Sequence, residues 1–220
     1  MRVLEAFDIY RFYHTGEEET LALRGVSLHA DEGEIVVVMG PSGSGKSTLL
    51  ACLAGLDEPD GGHVELMGER LTRRPEATRA AMRAASIGIL LQSGNLFEHL
   101  SVEDNARLQM RLAHKLDEDR IKELIHLVGL DERRRSRPSQ LSGGEAARAG
   151  LVTALAADPK VLMADEPTGE VDEETEADIL RIFEGLRQEK ASTLLATHSE
   201  ALAAGADRVV RLLDGRVTDA

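Results

Sequence analysis

The chain has 220 residues, 42% of them apolar and 30% charged, which suits one large α/β domain with a substantial core. Its 39 acidic and 26 basic residues leave a net charge of −13, which disfavours broad contact with nucleic acid or anionic lipid. No apolar run approaches the roughly 20 residues of a membrane span, the N-terminus lacks the apolar centre of a signal peptide, and Cys52, the single cysteine, fits a reducing cytoplasm.

Two β-like stretches open the chain, at residues 3–10 and 21–28, separated by the polar turn Thr15-Gly16-Glu17-Glu18-Glu19. An apolar strand over 35–39 then runs into Gly40-Pro41-Ser42-Gly43-Ser44-Gly45-Lys46-Ser47, followed by the helix-forming Thr48-Leu49-Leu50-Ala51-Cys52-Leu53-Ala54. Strand, glycine-rich loop and helix in that order are the setting in which this spacing cradles phosphate. Gly40, Ser42, Gly43, Ser44 and Gly45 let successive N–H groups turn inward, and the helix adds its positive end. Lys46 can reach the β- and γ-phosphates of a nucleoside triphosphate, and the Ser47 hydroxyl can ligate Mg²⁺. An ordinary strand-to-helix turn does not require Lys-Ser at the end of the pattern.

Beyond this loop, Asp57-Glu58-Pro59-Asp60-Gly61-Gly62 is rich in turn residues and leads to an alternating strand over 63–67. Another strand, 87–91, ends at Gln92. From 101 to 130 the pattern is helical, with Ser101 and Asp104 as an N-cap box and Ile121, Leu124, Ile125 and Val128 at helical spacing. The basic turn 133–137 precedes a helix starting near Ser142 and running to 157. A buried strand over 161–164 ends in Asp165-Glu166, residues 173–190 are helical, a strand over 193–197 ends at His198, and 209–213 closes on the turn Asp214-Gly215. Strands alternating with helices predict a mostly parallel sheet with helices on its faces.

In such a sheet, functional groups gather at the carboxyl ends of strands, where Gln92, Asp165, Glu166 and His198 all fall. Two adjacent carboxylates ending an apolar strand are costly to desolvate without a partner. A phosphate-bound Mg²⁺ supplies one: Asp165 holds the ion and Glu166 activates the attacking water. The competing reading is an N-cap cluster for the next helix. His14, His29, His63, His99, His114 and His126 show no metal-ligand spacing.

Leu141-Ser142-Gly143-Gly144-Glu145 lies between the phosphate loop and Asp165-Glu166. Taken with Gln92 and His198, it resembles the signature motif of ATP-binding-cassette (ABC) ATPases, and the resemblance covers essentially the whole chain. It implies a P-loop NTPase core with a mostly parallel sheet, an N-terminal antiparallel β part and a helical subdomain at about 93–157, all within a single domain, 1–220. It also implies that two cassettes pack head to tail, each ATP lying between one phosphate loop and the facing signature. Gly43, Gly45, Lys46, Ser47 and Thr48 would then cradle ATP-Mg²⁺, and Gln92 would sense metal and water. Ser142 and Gly144, with the Gly143 backbone, would meet the facing subunit's γ-phosphate. Glu166 would be the general base, His198 would contact the γ-phosphate, and Asp172 would lie in the dimer-facing loop. Tyr13 falls where the family stacks an aromatic on adenine, with Phe12 as its neighbouring competitor.

The segments Gly55-Leu56-Asp57, Asn95-Leu96, Arg137-Pro138-Ser139-Gln140-Leu141 and Asp165-Glu166-Pro167-Thr168-Gly169 resemble the macrolide-export and lipoprotein-release branch. That branch implies integral membrane permease subunits as partners, a homodimer of ATPase subunits, no nucleic acid, and a peripheral place on the cytoplasmic membrane face. A cell-division or signalling ATPase of the same branch is the alternative. A soluble DNA- or ribosome-acting ABC ATPase is disfavoured by the spacing and the acidity, and a generic P-loop kinase by the signature and His198. Glu145 stands where glutamine is commoner, Ala146-Ala147-Arg148-Ala149-Gly150 departs from the usual pattern while keeping an arginine, and Leu91 replaces a frequent aromatic. These departures predict an active but slow ATPase.

Overall fold

The computed structural model describes residues 1–15, 18–169, 173–188 and 190–219. Five strands form a parallel sheet: β3 (Ile35–Met39), β6 (Ile87–Leu90), β7 (Val161–Asp165), β8 (Ser192–Thr197) and β9 (Arg208–Leu213). With β10 (Arg216–Asp219) added antiparallel at one edge, the order is β10-β9-β3-β8-β7-β6. Every residue of β3, β7 and β8 is buried, as expected of central parallel strands covered on both faces.

Alternation along these strands divides the interior into two cores. Ile35, Val37 and Met39 join Leu162, Ala164 and Leu195 on one face. There they pack with α3 (Val102–Leu112), α4 (Glu118–Leu127), α5 (Gly143–Leu155) and α6 (Glu173–Gln188). Val36 and Val38 join Val161, Met163, Leu194 and Ala196 on the other face. These cover α1 (Lys46–Leu53) and a second, antiparallel sheet. That sheet has the order β2-β1-β4-β5, from β1 (Arg2–Thr15), β2 (Glu18–Asp31), β4 (Gly61–Leu66) and β5 (Glu69–Arg70).

Several expected boundaries move. The opening strands are longer than the 3–10 and 21–28 segments, because each pairs along nearly its whole length with the other. The helical stretch 101–130 divides into two helices. His114 turns into the left-handed region (φ 55°), and Asp117 restarts the helix by accepting from the Asp119 and Arg120 amides. Ser101 caps α3 through the Asp104 amide, while its hydroxyl donates to the Asp104 carboxylate. Helices α2 (Glu76–Ser86) and α7 (Glu200–Ala204), with β5 and β10, lie outside the segments expected from sequence. Among the described residues no helix is long and apolar enough to cross a membrane.

Parallel register brings the functional ends together. Met39 pairs with Thr197, Asp165 with Ala196, and Leu90 with Ala164. The loops after β3, β8, β7 and β6 therefore leave the sheet side by side at one edge.

Candidate active site

At that edge lies a cleft of about 760 Å³. It is lined by Gly40, Ser42, Gly43, Gly45, Lys46, Ser47 and Thr48 from the phosphate loop, and by Gln92, Asp165, Glu166 and His198 from the neighbouring strand ends. Tyr13 and β2 close its far wall. Residues separated by more than 180 positions thus share one space.

The loop reaches α1 through Gly45, whose φ of 104° admits only glycine without strain and whose absent side chain lets Ala22 O approach. At Gly43 (φ 79°) nothing lies within 4 Å of where a Cβ would stand, so the backbone there borders open space. Ser44 is buried, and its Oγ has no hydrogen-bond partner among the described residues. A glycine-rich loop bordering open space, with an orphaned buried hydroxyl, fits a bound polyphosphate.

Lys46 is 9% exposed, and its Nζ donates to Gly40 O at 2.8 Å and Pro41 O at 3.3 Å, with Glu166 Oε1 3.9 Å away. An ammonium so enclosed is pre-aimed along the loop. Glu166 sits in the left-handed region (φ 47°), a strained position for a non-glycine residue at a strand end. Its Oε2 accepts from Thr197 Oγ1 at 3.0 Å and lies 2.9 Å from His198 Nδ1. Asp165 is 9% exposed, and among the described residues no hydrogen bond or ion pair reaches its carboxylate. With Ser47 and Gln92 on the same cleft, it supplies the hard oxygen donors that Mg²⁺ prefers.

Of the two opening aromatics, Tyr13 lines the cleft and Phe12 does not. Burial and the nearby Asp57 carboxylate push the Tyr13 phenol upward.

Ser142, Gly143 and Gly144 lie outside this cleft. Gly143 instead lines an adjacent groove with Gln92 and Glu166. Ser142 caps α5 by accepting from the Glu145 amide, and the Glu145 carboxylate in turn accepts from the Ser142 amide. The glutamate in place of glutamine is thereby explained locally. A carboxylate oxygen closes the cap, and Arg133 Nε, 2.9 Å away, neutralises it. The Ser142 amide and Arg133 together hold the Glu145 carboxyl below its usual range. Arg148 ties the same helix to α6 through Thr175 Oγ1.

Asp172 lies outside the described residues. The histidines without metal-ligand spacing include His29, which the fold brings near Asp31 and Glu34. There Arg208 takes the Glu34 carboxylate. Four residues just behind the cleft lining were not singled out as site residues from sequence: Thr197, which bonds Glu166, and Arg11, Asp57 and Asp60, which hold Tyr13 or its neighbours. Thr197 immediately precedes His198 and Arg11 stands two before Tyr13, so adjacency was the available signal.

The ABC transporter family model matches residues 23–169. An uncharacterised ABC transporter ATP-binding protein of Thermotoga maritima is 42% identical over 219 residues, covering 98% of this chain and 94% of that protein. The lipoprotein-releasing system ATP-binding protein LolD of Acinetobacter baylyi is 38% identical, over 99% of this chain and 97% of LolD. The macrolide export ATP-binding/permease protein MacB of Chlorobium phaeobacteroides is 41% identical across 98% of the chain, which spans only 33% of MacB. Among solved structures, the dimeric bacterial ABC transporter cassette MJ0796 superposes with a TM-score of 0.94 at 31% identity, covering 98% of this chain and 97% of its own. It has also been solved as a post-hydrolysis dimer bound to ADP and Pi. Family model, full-length relatives and fold agree: the chain belongs to the ABC transporter ATP-binding cassettes and is an ATPase of that family.

Proposed function

We propose that this chain is the ATP-hydrolysing subunit of a membrane transporter of the macrolide-export or lipoprotein-release type. In this reading it sits peripherally on the cytoplasmic membrane face, and two copies close head to tail on two ATP to move separate permease subunits. One separation carries the reading. The phosphate loop, Gln92, Asp165, Glu166 and His198 share a cleft, whereas Ser142, Gly143 and Gly144, a second phosphate-seeking helix start, lie outside it. A second copy facing the first supplies what each cleft lacks.

Within the chain, 1–220 acts as one ATPase domain, with 93–157 as its helical subdomain. The loop amides and Lys46 hold the phosphates, Tyr13 stacks on adenine, and Ser47, Asp165 and Gln92 hold Mg²⁺. When bound there, Mg²⁺ would supply positive charge to offset that of the phosphates. Glu166 takes the proton of the attacking water, and His198 contacts the γ-phosphate. The permease docks at a groove of about 580 Å³ beside Gln92, lined by Leu56, Ile89, Leu91, Phe97 and Leu112. Four of these, Leu56, Leu91, Phe97 and Leu112, are 44–59% exposed, a concentration of apolar surface that favours a protein partner. The net charge of −13 supports a partner other than nucleic acid.

The test is to isolate the tagged chain from its native membranes in mild detergent and weigh everything that accompanies it. A stoichiometric integral membrane protein is the expected companion. Ribosomal or DNA-processing proteins without a membrane subunit would overturn the transporter assignment and leave the ATPase standing.

A further inference from the structure

The far wall of the cleft holds a polar network that the phosphate chemistry does not use. Arg11 and Tyr13 stand two apart on β1, and the Arg11 guanidinium carbon lies 4.7 Å from the centre of the Tyr13 ring. Arg11 is clamped by Asp57 in a fork, Nε to Oδ2 at 2.7 Å and Nη2 to Oδ1 at 2.9 Å. Its Nη1 donates to Asp60 Oδ2 at 3.0 Å. The Tyr13 hydroxyl donates to the same Asp57 Oδ2 at 2.9 Å. Asp60 also accepts from the Phe12 amide at 2.8 Å, and Asp57 Oδ1 from the Glu58 amide at 2.9 Å. Ring, hydroxyl and backbone at 11–13 are thus all fixed by two carboxylates that follow α1.

The N-terminus of α1 carries Lys46 and Ser47, and its C-terminal end runs into Asp57, whose amide bonds back to Ala51 O. One rigid segment therefore sets the phosphate cradle at one end and the aromatic wall at the other. Arg11 and Asp57 are only 20% and 25% exposed, so the fork is partly shielded from water. Burial opposes the Arg11 charge, but the Asp57 and Asp60 bonds outweigh it and raise the guanidinium further.

We propose that Arg11 and Asp57 are positioning residues for the nucleobase, holding Tyr13 as a preformed platform at a fixed distance from the phosphate loop. The proposal rests on Tyr13 being the base-stacking residue. A tyrosine already ordered loses no rotamer freedom when the base arrives, which corresponds to about 2- to 10-fold in affinity. The platform contacts the base and not the transferring phosphate, so its loss raises KM and leaves kcat alone.

Dissociation constants for ATP and for inorganic tripolyphosphate would be measured on Arg11→Ala, Asp57→Ala, Tyr13→Phe and Tyr13→Ala, with KM and kcat for ATP. Arg11→Ala and Asp57→Ala should each weaken ATP about 5-fold, with tripolyphosphate changing about 2-fold or less and kcat holding. A charge effect alone would move ATP affinity in opposite directions for these two variants, whereas a clamp moves it the same way. Tyr13→Phe keeps the ring and loses the hydroxyl, with its bond to Asp57 and its interactions with Thr48 and Arg11, so it should weaken ATP about 2-fold with tripolyphosphate unchanged, while the Arg11–Asp57 ion pair remains. It reads the clamp even if an Arg11 or Asp57 variant folds poorly. Opposite shifts, or equal losses of ATP and tripolyphosphate, would overturn the proposal. Unchanged ATP affinity in Tyr13→Ala would overturn the platform itself. A strong Tyr13→Ala effect beside silent Arg11, Asp57 and Tyr13→Phe variants would overturn the clamp alone.

Discussion

His198 Nδ1 lies 2.9 Å from Glu166 Oε2, the same oxygen that receives the Thr197 hydroxyl at 3.0 Å. Two consecutive residues at the end of β8 therefore aim one carboxylate at the end of β7. Thr197 is 1% exposed and its oxygen also accepts from the Ser199 amide at 3.0 Å, so its direction is fixed from both sides. Thr197→Val should lower kcat about 3- to 10-fold with KM for ATP unchanged, because it loosens the base without touching the phosphate cradle. Thr197→Ser should recover most of the rate. A valine variant turning over at the parental rate would show that Glu166 needs no such support.

Glu166→Gln keeps an oxygen that can accept from Thr197 and His198 but removes the proton acceptor. Steady-state ATP hydrolysis should vanish while ATP binding, followed by equilibrium titration, persists. Near-parental turnover would remove Glu166 from the role of base.

Ser142 has two separable duties, capping α5 and, in the proposed dimer, meeting the facing γ-phosphate. Ser142→Ala should cost about 1 kcal/mol of stability from the lost cap, a fall of about 2–4 °C in melting temperature. In a Glu166→Gln background it should also abolish ATP-driven dimerisation measured by sedimentation. Ser142→Asp restores a good cap while placing negative charge where phosphate would arrive. It should regain the melting temperature and remain monomeric. Dimerisation of the aspartate variant at full strength would place the signature away from phosphate.

Much of this site was legible because its residues are marked twice, by type and by position at a strand end. Gly45, Lys46, Asp165 and His198 each follow an apolar run, and the parallel register then has only to bring adjacent strand ends together. The central strand 35–39 was readable to the residue, since five consecutive buried positions leave no ambiguity of face. The Arg11–Asp57 fork was not legible. It spans 46 positions and depends on β1 pairing beyond residue 10, while the apolar pattern of that strand fades there. Helix α2 was missed for a related reason. Three of its side chains, Glu76, Arg79 and Arg83, bind one another or Glu58 outside the helix, and its apolar positions are alanines and Met82, none of them buried, so the face lacks the large apolar residues that would advertise it.

Cys52 gives a pH test of the core beneath the phosphate loop. It is fully buried in α1, and burial first, then the negative Asp57, push its thiol up to about 12 from an ordinary 9.0. The protonated form is favoured in the folded chain, so the contribution to stability is complete below pH 9 and declines as pH rises toward 12, where the unfolded thiol ionises first. Between pH 8 and pH 10 the loss should be about 1.4 kcal/mol. Other groups also titrate in this range, so the quantity to follow is the unfolding free energy of the parent minus that of Cys52→Ala. That difference should fall by about this amount over the two pH units, and native-state thiol labelling at pH 8 should be negligible until denaturant is added. A difference independent of pH, with rapid native labelling, would mean that α1 opens to solvent and that the phosphate loop rests on a mobile helix.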